Sequence, residues 1–516
     1  MNMQEYKLFW GDSHTNIHSR HMDSLQAILD HARALLDFWP IAYYPQEYKE
    51  KKGFRYEDWL EEDRVEREWR AICDLAAEND RPGEFVIFPG YEWQGDGRWG
   101  DHNVFYLEDH GPLIRVNSLP ELYREIRRRG LKAFAIPHHT AYIVGIRGKN
   151  WDIYDGELSP FAEIYSNHGC SESDEEWIGL RANRHMGPGV SGGTIEEALD
   201  RGYRLGIVCS TDNHTGSPGF YGSGLMACYA KALTREALWE AFSERRVYGV
   251  TGDRIELSFT VEGAPMGSYV HHRGSVHIEV DVRGCDALDR IELLRNNTLI
   301  AGYFHSGRWS VPEGDDRILF KLRLEVGWGP TPEEASGLPP REWEGYILVP
   351  EGRIVSVERC WRSRGQWSEG PGGGTCRFGF RTGGHGPEGK TPSEALIFEI
   401  EARPSDRVEI SLEGKELRFT VAEAMKHSRV LFFPDEVKAS IRDTYGLDPE
   451  LLPRDDPFYF LSHKAKVHRA VPEAGYHTSW EHTDPSPPRG VNHYRVRVHQ
   501  RNGQVAWSSP IWVINE

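Results

Sequence analysis

Imidazoles and carboxylates recur in this chain where short apolar runs end. Gly11-Asp12-Ser13-His14 closes the first run, with His18 and His21 close behind. FVIFPGYEW delivers Glu92, AFAIPHH delivers His138 and His139, FAEIYSNHG delivers Glu163 and His168, and LGIVCSTDNH delivers Asp212 and His214. Mixed imidazole and carboxylate ligands, with no cysteine required, suit Zn, Mn or Fe in a hydrolytic site. A carboxylate between two imidazole-bound ions is the arrangement that activates a water. Histidine abundance alone locates nothing, since 11 of the 23 precede residue 255 and 12 follow it. A lone histidine at a strand end is usually a hydrogen-bonded cap, but agreement of five strand ends argues for a metal site. His31, on a helix, and His110, in a loop, read as structural. His185 stays unassigned, and His271 with His272 reads as surface because no carboxylate cluster accompanies it.

The elements that must position these groups are legible up to about residue 255. Candidate strands are Tyr6–Trp10, Phe85–Phe88, Val104–Leu107, Ala133–Ile136, Ala162–Tyr165 and Leu205–Cys209. Ser118 with Glu121, and Thr194 with Glu197, have capping-box spacing ahead of helical patterns, and Gly130 sits where the first would stop. A third helix is predicted around Arg235–Arg245, after Thr234. Residues 48–80 are highly charged but keep Trp59, Val65, Trp69, Ile72 and Leu75 near helical spacing, which predicts an amphipathic helical insertion. Strand–helix alternation predicts an α/β fold with a mostly parallel sheet, open or closed into a barrel, whose C-terminal strand ends share one face. Beyond Arg254 the texture changes to alternating strands separated by Gly, Asn and Pro turns, as in a β-sandwich. These are LSFTVEG, SVHIEVDVRG, DRIELLRNN, RVEISLEG and HYRVRVHQRNG, with Gly370–Pro392 reading as a long loop. The expected domains are therefore 1–255 and 256–516.

Composition narrows the function. With 516 residues the chain exceeds one domain, and 39% hydrophobic against 27% charged residues excludes wholesale disorder. No run of ~18 apolar residues predicts a membrane span, and MNMQEYKLFWGDSH lacks the pattern of a signal peptide. A net charge of −18 argues against nucleic acid as a partner, because phosphate-backbone binding is driven by Lys and Arg. Seven scattered cysteines read as reduced thiols, so a cytoplasmic protein is expected.

The ordered set GDSH, GYEW, DHNV, IPHH, EIYSNHG and STDNH resembles the metal centre of the PHP (polymerase and histidinol phosphatase) superfamily. The resemblance is greatest to its large two-domain branch of unassigned function. Thr251-Gly252-Asp253-Arg254-Ile255, Met266-Gly267 and Ala506–Val513 extend it over nearly the whole chain. The resemblance implies a distorted (β/α)7 barrel followed by a β-rich, sandwich-like domain, with metal-dependent hydrolysis best known on phosphate esters. It implies metal ligands at His14, Glu92 (bridging), His138, His168, Asp212 and His214, with His21 aligned to a further family histidine. His139 falls beside the ligands and is expected nearer the substrate. Two positions depart from the family: Asn16 stands at the second histidine of the HxH motif, and Tyr44 where another histidine is usual. One or two divalent ions (Zn, Mn or Fe) are therefore expected instead of three.

In this reading His214 or His18 donates a proton to the leaving group, and His102 is a further candidate. Asp12, Asn103 and Asn213 would orient ligands. Arg147 and Lys149 are the cations for an anionic substrate group, and Trp93, Tyr142 and Trp151 could wall the pocket. The first expectation is a phosphoesterase acting on a small anionic metabolite. Two alternatives stay open: a metal hydrolase of an amide, ester or lactone, and a non-catalytic binding protein with a degenerate site. The β-rich half leaves a homo-oligomer open.

Overall fold

The computed structural model describes residues 5–175, 178–180, 186–305, 309, 316–329, 341–382, 393–454 and 456–516. His185 lies outside them. The fold is mixed α/β and rich in strands. It comprises two compact units: Met1–Gly284 with Leu288–Phe304 and Thr478–Glu516, and Cys285–Ala287 with His305–His477. This division is discontinuous in sequence, unlike a single cut near residue 255. Strands from the C-terminus return to the first unit, where Val250 of 247–250 pairs with Ala506.

Up to residue 250 the strands of the first unit, in order, are β1 (Lys7–Gly11), β2 (Thr15–Ile17), β3 (Phe38–Tyr43), β4 (Gln46–Lys51), β5 (Phe54–Trp59), β6 (Val86–Phe88), β7 (Gly90–Trp93), β8 (His102–Tyr106) and β9 (Ala133–Pro137). They continue with β10 (Phe161–Ser166), β11 (Gly169–Cys170), β12 (Gly206–Cys209), β13 (Leu225–Ala230) and β14 (Val247–Val250). Strand β3 runs parallel to β1, β6 and β7, and β10 runs parallel to β12. The expected mostly parallel sheet is corrected elsewhere, since β8 is antiparallel to both β7 and β9, and β13 to both β1 and β14.

One buried cluster joins these strands. Phe38, Phe88, Phe105, Phe134, Phe161, Val208, Met226 and Val247, from eight different strands, pack with Phe242, and Trp239 stacks on Phe134 at 3.9 Å between ring centroids. The helices follow their local signals. Helix α1 (Leu25–Leu35) buries Ile28, Leu29, Ala32 and Leu35, one face at helical spacing. Helix α2 (Glu62–Asn79) opens on Glu62 and Asp63, which suit its positive N-terminal end, and buries Val65, Trp69, Ile72 and Ala76. Helix α3 (Leu119–Arg128) follows Ser118, α4 (Ile195–Asp200) has a full capping box from Thr194 and Glu197, and α5 (Arg235–Ser243) is capped by Thr234. The expected helical insertion is corrected in its first part, where β4 and β5 form a hairpin paired from Gln46↔Trp59 to Lys51↔Phe54.

In the second unit two antiparallel sheets meet at Phe378 and Phe398, whose ring centroids are 6.0 Å apart. The expected long loop at 370–392 instead contains a strand over Thr375–Thr382, and residues 383–392 lie outside the described set. No helix among the described residues is long and apolar enough to cross a membrane.

Candidate metal centre

The site is assembled by the turns that follow β1 and β12. Asp12, fully buried, accepts hydrogen bonds from the backbone N–H of His14 (3.1 Å), Thr211 (3.1 Å) and Gly219 (2.9 Å) and from the Thr211 hydroxyl (2.7 Å). A backbone bond from Asn16 to the Asn213 carbonyl (2.9 Å) joins the same two segments. His14 and Asp212, 198 positions apart, are thereby brought to 3.3 Å (Nε2 to Oδ1). Asp212 and His139 both adopt left-handed backbone conformations, with φ of 46° and 33°. Non-glycine residues seldom do so outside sites where the fold over-determines them.

Around this pair the other strands deliver their groups. His14 Nε2 lies 3.5 Å from Glu92 Oε2, and its Nδ1 lies 3.0 Å from Glu163 Oε2. His138 Nε2 lies 3.9 Å from Glu92 Oε1, and the rings of His14 and His138 are 4.1 Å apart. His168 Nε2 faces Asp212 Oδ2 at 3.1 Å while its Nδ1 contacts the Tyr142 hydroxyl at 2.7 Å. His14 and His168 thus share one arrangement: Nδ1 is occupied by a neighbour, and Nε2 points at Asp212. A carboxylate or hydroxyl behind an imidazole in this way orients the other nitrogen toward a metal.

Among the described residues, four overlapping groups have donor atoms all within 4.8 Å of one another. They are His14–Glu92–His138, Asp101–His138–His139, His139–His168–Asp212 and His14–Glu163–Asp212.

Electrostatics favour a cation. Burial and the neighbouring imidazoles hold His138 and His139 well below the usual histidine range, so their lone pairs are available. Neither ring nitrogen of the buried His138 has a hydrogen-bond partner, and the same holds for Asn16 Oδ1 and Glu163 Oε1. Burial lowers His14 too, but Asp212 and Glu163 outweigh it and raise the group well above its ordinary value. Burial pushes Glu163 and Asp101 up to about 7. Four carboxylates (Glu92, Asp101, Glu163, Asp212) are thus buried together, with unpartnered donor atoms among them. A divalent ion would relieve their mutual repulsion and occupy the orphaned atoms. These residues fit such an ion.

The remaining sequence-assigned residues fall at graded distances. His214, at the rim, lies 3.7 Å from Asp212 Oδ1, and its Nδ1 is 2.8 Å from His18 Nε2. Asn16 Nδ2 lies 3.4–3.5 Å from His14, Asp212 and His214. His21 is outside the four groups; its Nδ1 accepts the His18 backbone N–H. Tyr44 is also outside them, and its buried hydroxyl meets Glu57 and accepts from Gln94 Nε2, which in turn donates to Glu92 Oε1 at 2.7 Å. His102 is buried, with Nδ1 2.9 Å from the Gly100 carbonyl.

The two expected substrate cations are corrected. Arg147 is committed to Asp101 (2.7 Å) and Glu57 (3.3 Å). Lys149 is fully buried, donates to the Ile153 carbonyl at 2.7 Å, and is lowered by burial to about 7. Trp93 and Tyr142 are buried within the site's walls, whereas Trp151 belongs to a core cluster. Sequence reasoning missed Asp101, Gln94 and Glu57. Adjacency to His102 was the available signal for Asp101, and Gln94 follows Glu92 by two positions.

Comparison with known proteins yields little that is characterised. The family model described as a protein of unknown function (DUF3604) matches residues 219–264. An uncharacterised protein of Chlamydia pneumoniae is 25% identical over 270 residues, covering 48% of this chain and 43% of that one. An uncharacterised protein of Chlamydia muridarum is 31% identical over 221 residues, covering 40% and 35%. The chain therefore spans less than half the length of the curated relatives it matches. Among solved structures, a two-domain protein of Bacteroides vulgatus containing a predicted PHP-like metal-dependent phosphoesterase aligns with 81% of this chain and 96% of its own. That alignment has a TM-score of 0.33 and 13% identity.

Proposed function

We propose that this chain is a metal-dependent hydrolase of the PHP type, cleaving a phosphate ester of a small anionic metabolite with one or two Zn, Mn or Fe ions. The observation that carries the reading is the convergence of His14, Glu92, His138, Glu163, His168 and Asp212, with neither ring nitrogen of His138 hydrogen-bonded. Delivery of a core residue from each of eight strands to one cluster supports a distorted barrel as the scaffold.

A divalent ion, when bound here, supplies Lewis acidity and brings the pKa of a coordinated water toward 7. The chain's own residues do the rest. Glu92 spans His14 and His138, and Asp212 spans His14 and His168, so two carboxylates each join two imidazoles. Glu163 and Tyr142 hold the rings from behind. Burial lowers both His18 and His214, the latter against the pull of Asp212 and Glu92, and the two imidazoles, 2.8 Å apart, are placed to relay a proton toward a leaving group. Arg147, fixed to Asp101, offsets negative charge beside the cluster.

We further infer a small-molecule substrate with neither nucleic acid nor membrane as partner, in a cytoplasmic setting that suits seven buried free thiols. The test is hydrolysis of a panel of phosphate, ester and amide substrates by the metal-loaded chain. Turnover confined to phosphate esters supports the proposal, turnover confined to esters or amides favours the non-phosphate alternative, and none across the panel favours a binding protein.

A further inference from the structure

A cavity of about 300 Å³ lies beside the metal centre, with His18, Arg20, Tyr44, Tyr48, Arg55 and Glu57 among its lining. That volume is at the small end for ligand sites and suits part of a metabolite, not a polymer. The His18 and Tyr44 rings, 4.5 Å apart, form its side toward the metal cluster, because His18 touches His214 and His214 faces Asp212. The β4–β5 hairpin supplies much of the rest.

Two guanidiniums from separate elements line this space with their charges uncommitted. Arg20 donates to the His214 carbonyl at 2.5 Å, which places it at the rim without neutralising it. Arg55 lies over the Tyr48 ring, 4.3 Å from its centroid. Neither pairs with a carboxylate among the described residues, whereas Arg64 is tied to Glu68 (2.8 Å); of the two lining carboxylates, Glu57 is engaged by Tyr44 and Arg147, and Glu47 forms no ion pair with either guanidinium. In a chain of net charge −18, two free guanidiniums at the mouth of a small cavity point to an anionic occupant.

Resting on the hydrolytic reading above, we propose that this cavity holds a second, uncleaved anionic group of the substrate, with Arg20 and Arg55 as its cationic partners and Tyr48 as the flat surface beside it. The substrate class is then a small phosphate ester bearing an additional carboxylate or phosphate.

The test is calorimetry on the zinc-loaded full chain with phenylphosphonate, 4-carboxyphenylphosphonate and 1,4-phenylenediphosphonate, none of which is hydrolysed. At least one of the doubly anionic probes should bind tenfold or more tighter than phenylphosphonate, and which one does so distinguishes carboxylate from phosphate. Arg20→Met and Arg55→Met should each cut that advantage at least fivefold, with Arg→Lys at the same positions restoring most of it and metal content unchanged. Equal binding of all three probes, or an advantage untouched by both Met variants, overturns the proposal even if the chain hydrolyses simple phosphate esters. An arginine-dependent advantage in a chain that cleaves no ester sustains the cavity assignment and removes the hydrolytic reading.

Discussion

Asp212 faces three imidazoles, with His168 at 3.1 Å, His14 at 3.3 Å and His214 at 3.7 Å, from a left-handed backbone position. Asp212→Asn keeps the shape but removes the charge that both Nε2 atoms address. It should lower metal affinity by more than ~100-fold, beyond the range typical of residues that only orient ligands, and abolish turnover. In the metal-free chain His14 and His168 outweigh burial and hold the Asp212 carboxyl well below the usual carboxylate range, so the thermal midpoint should fall modestly; a rise would mean that these imidazoles do not charge-pair with it. That His14, Glu92, His138, His168 and Asp212 cluster is legible in the sequence because each ends or closely follows an apolar run. Asp101 is not legible by that rule. It precedes β8, which runs antiparallel to β7 with Trp93↔His102 in register, so the start of one strand lies beside the end of another. Lys149 misleads for a different reason: a cation just after the histidine pair reads as a substrate contact, while its ammonium finds a backbone carbonyl inside the fold.

At the scale of elements, the turn after β1 depends on Asp12. Asp12→Ala would strand several buried donors at once, each costing ~1–3 kcal/mol, so chemical denaturation should show a loss above ~3 kcal/mol; a loss below ~1 kcal/mol would mean the two turns are held by other bonds. The β4–β5 hairpin was hidden because its strands are largely charged and partly exposed, with no alternation of apolar residues. Glu394, at the head of the strand Glu394–Ala402 in the second unit, gives a pH prediction. Burial raises its carboxyl from 4.5 to about 7, although Ser363 and the Arg362 backbone N–H donate to it. The folded state therefore binds the proton more tightly than the unfolded one. The contribution is complete below pH ~4.5 and is lost as pH rises toward 7, about 3 kcal/mol in all. Glu394→Gln should accordingly stabilise the second unit more at pH 8 than at pH 5 in denaturant melts, and an equal effect at both would refute the assignment.

Within the first unit as a whole, distant segments are joined by a buried charge network. Glu172 accepts from Arg495, from Arg497 at 3.1 Å and from Trp507 Nε1 at 2.8 Å, and Arg495 reaches Glu196 at 2.6 Å. Long-range pairing of this kind has no local sequence signal, which is why a cut near residue 255 looks natural from texture alone. Arg495→Met leaves Glu172 buried with less compensation and should cost ~3–5 kcal/mol, and a chain ending at residue 255 should fail to give a cooperative melt. A stable, cooperatively folding 1–255 fragment would contradict this. We infer that the buried imidazoles and carboxylates of the first unit hold a divalent ion. The most direct test is titration of the chelator-treated full chain with Zn²⁺ and Mn²⁺, read by calorimetry alongside elemental analysis. One or two equivalents should bind in the wild type, with binding sharply weakened in His138→Ala. No binding by the folded wild-type chain, or equal binding by the variant, would contradict it.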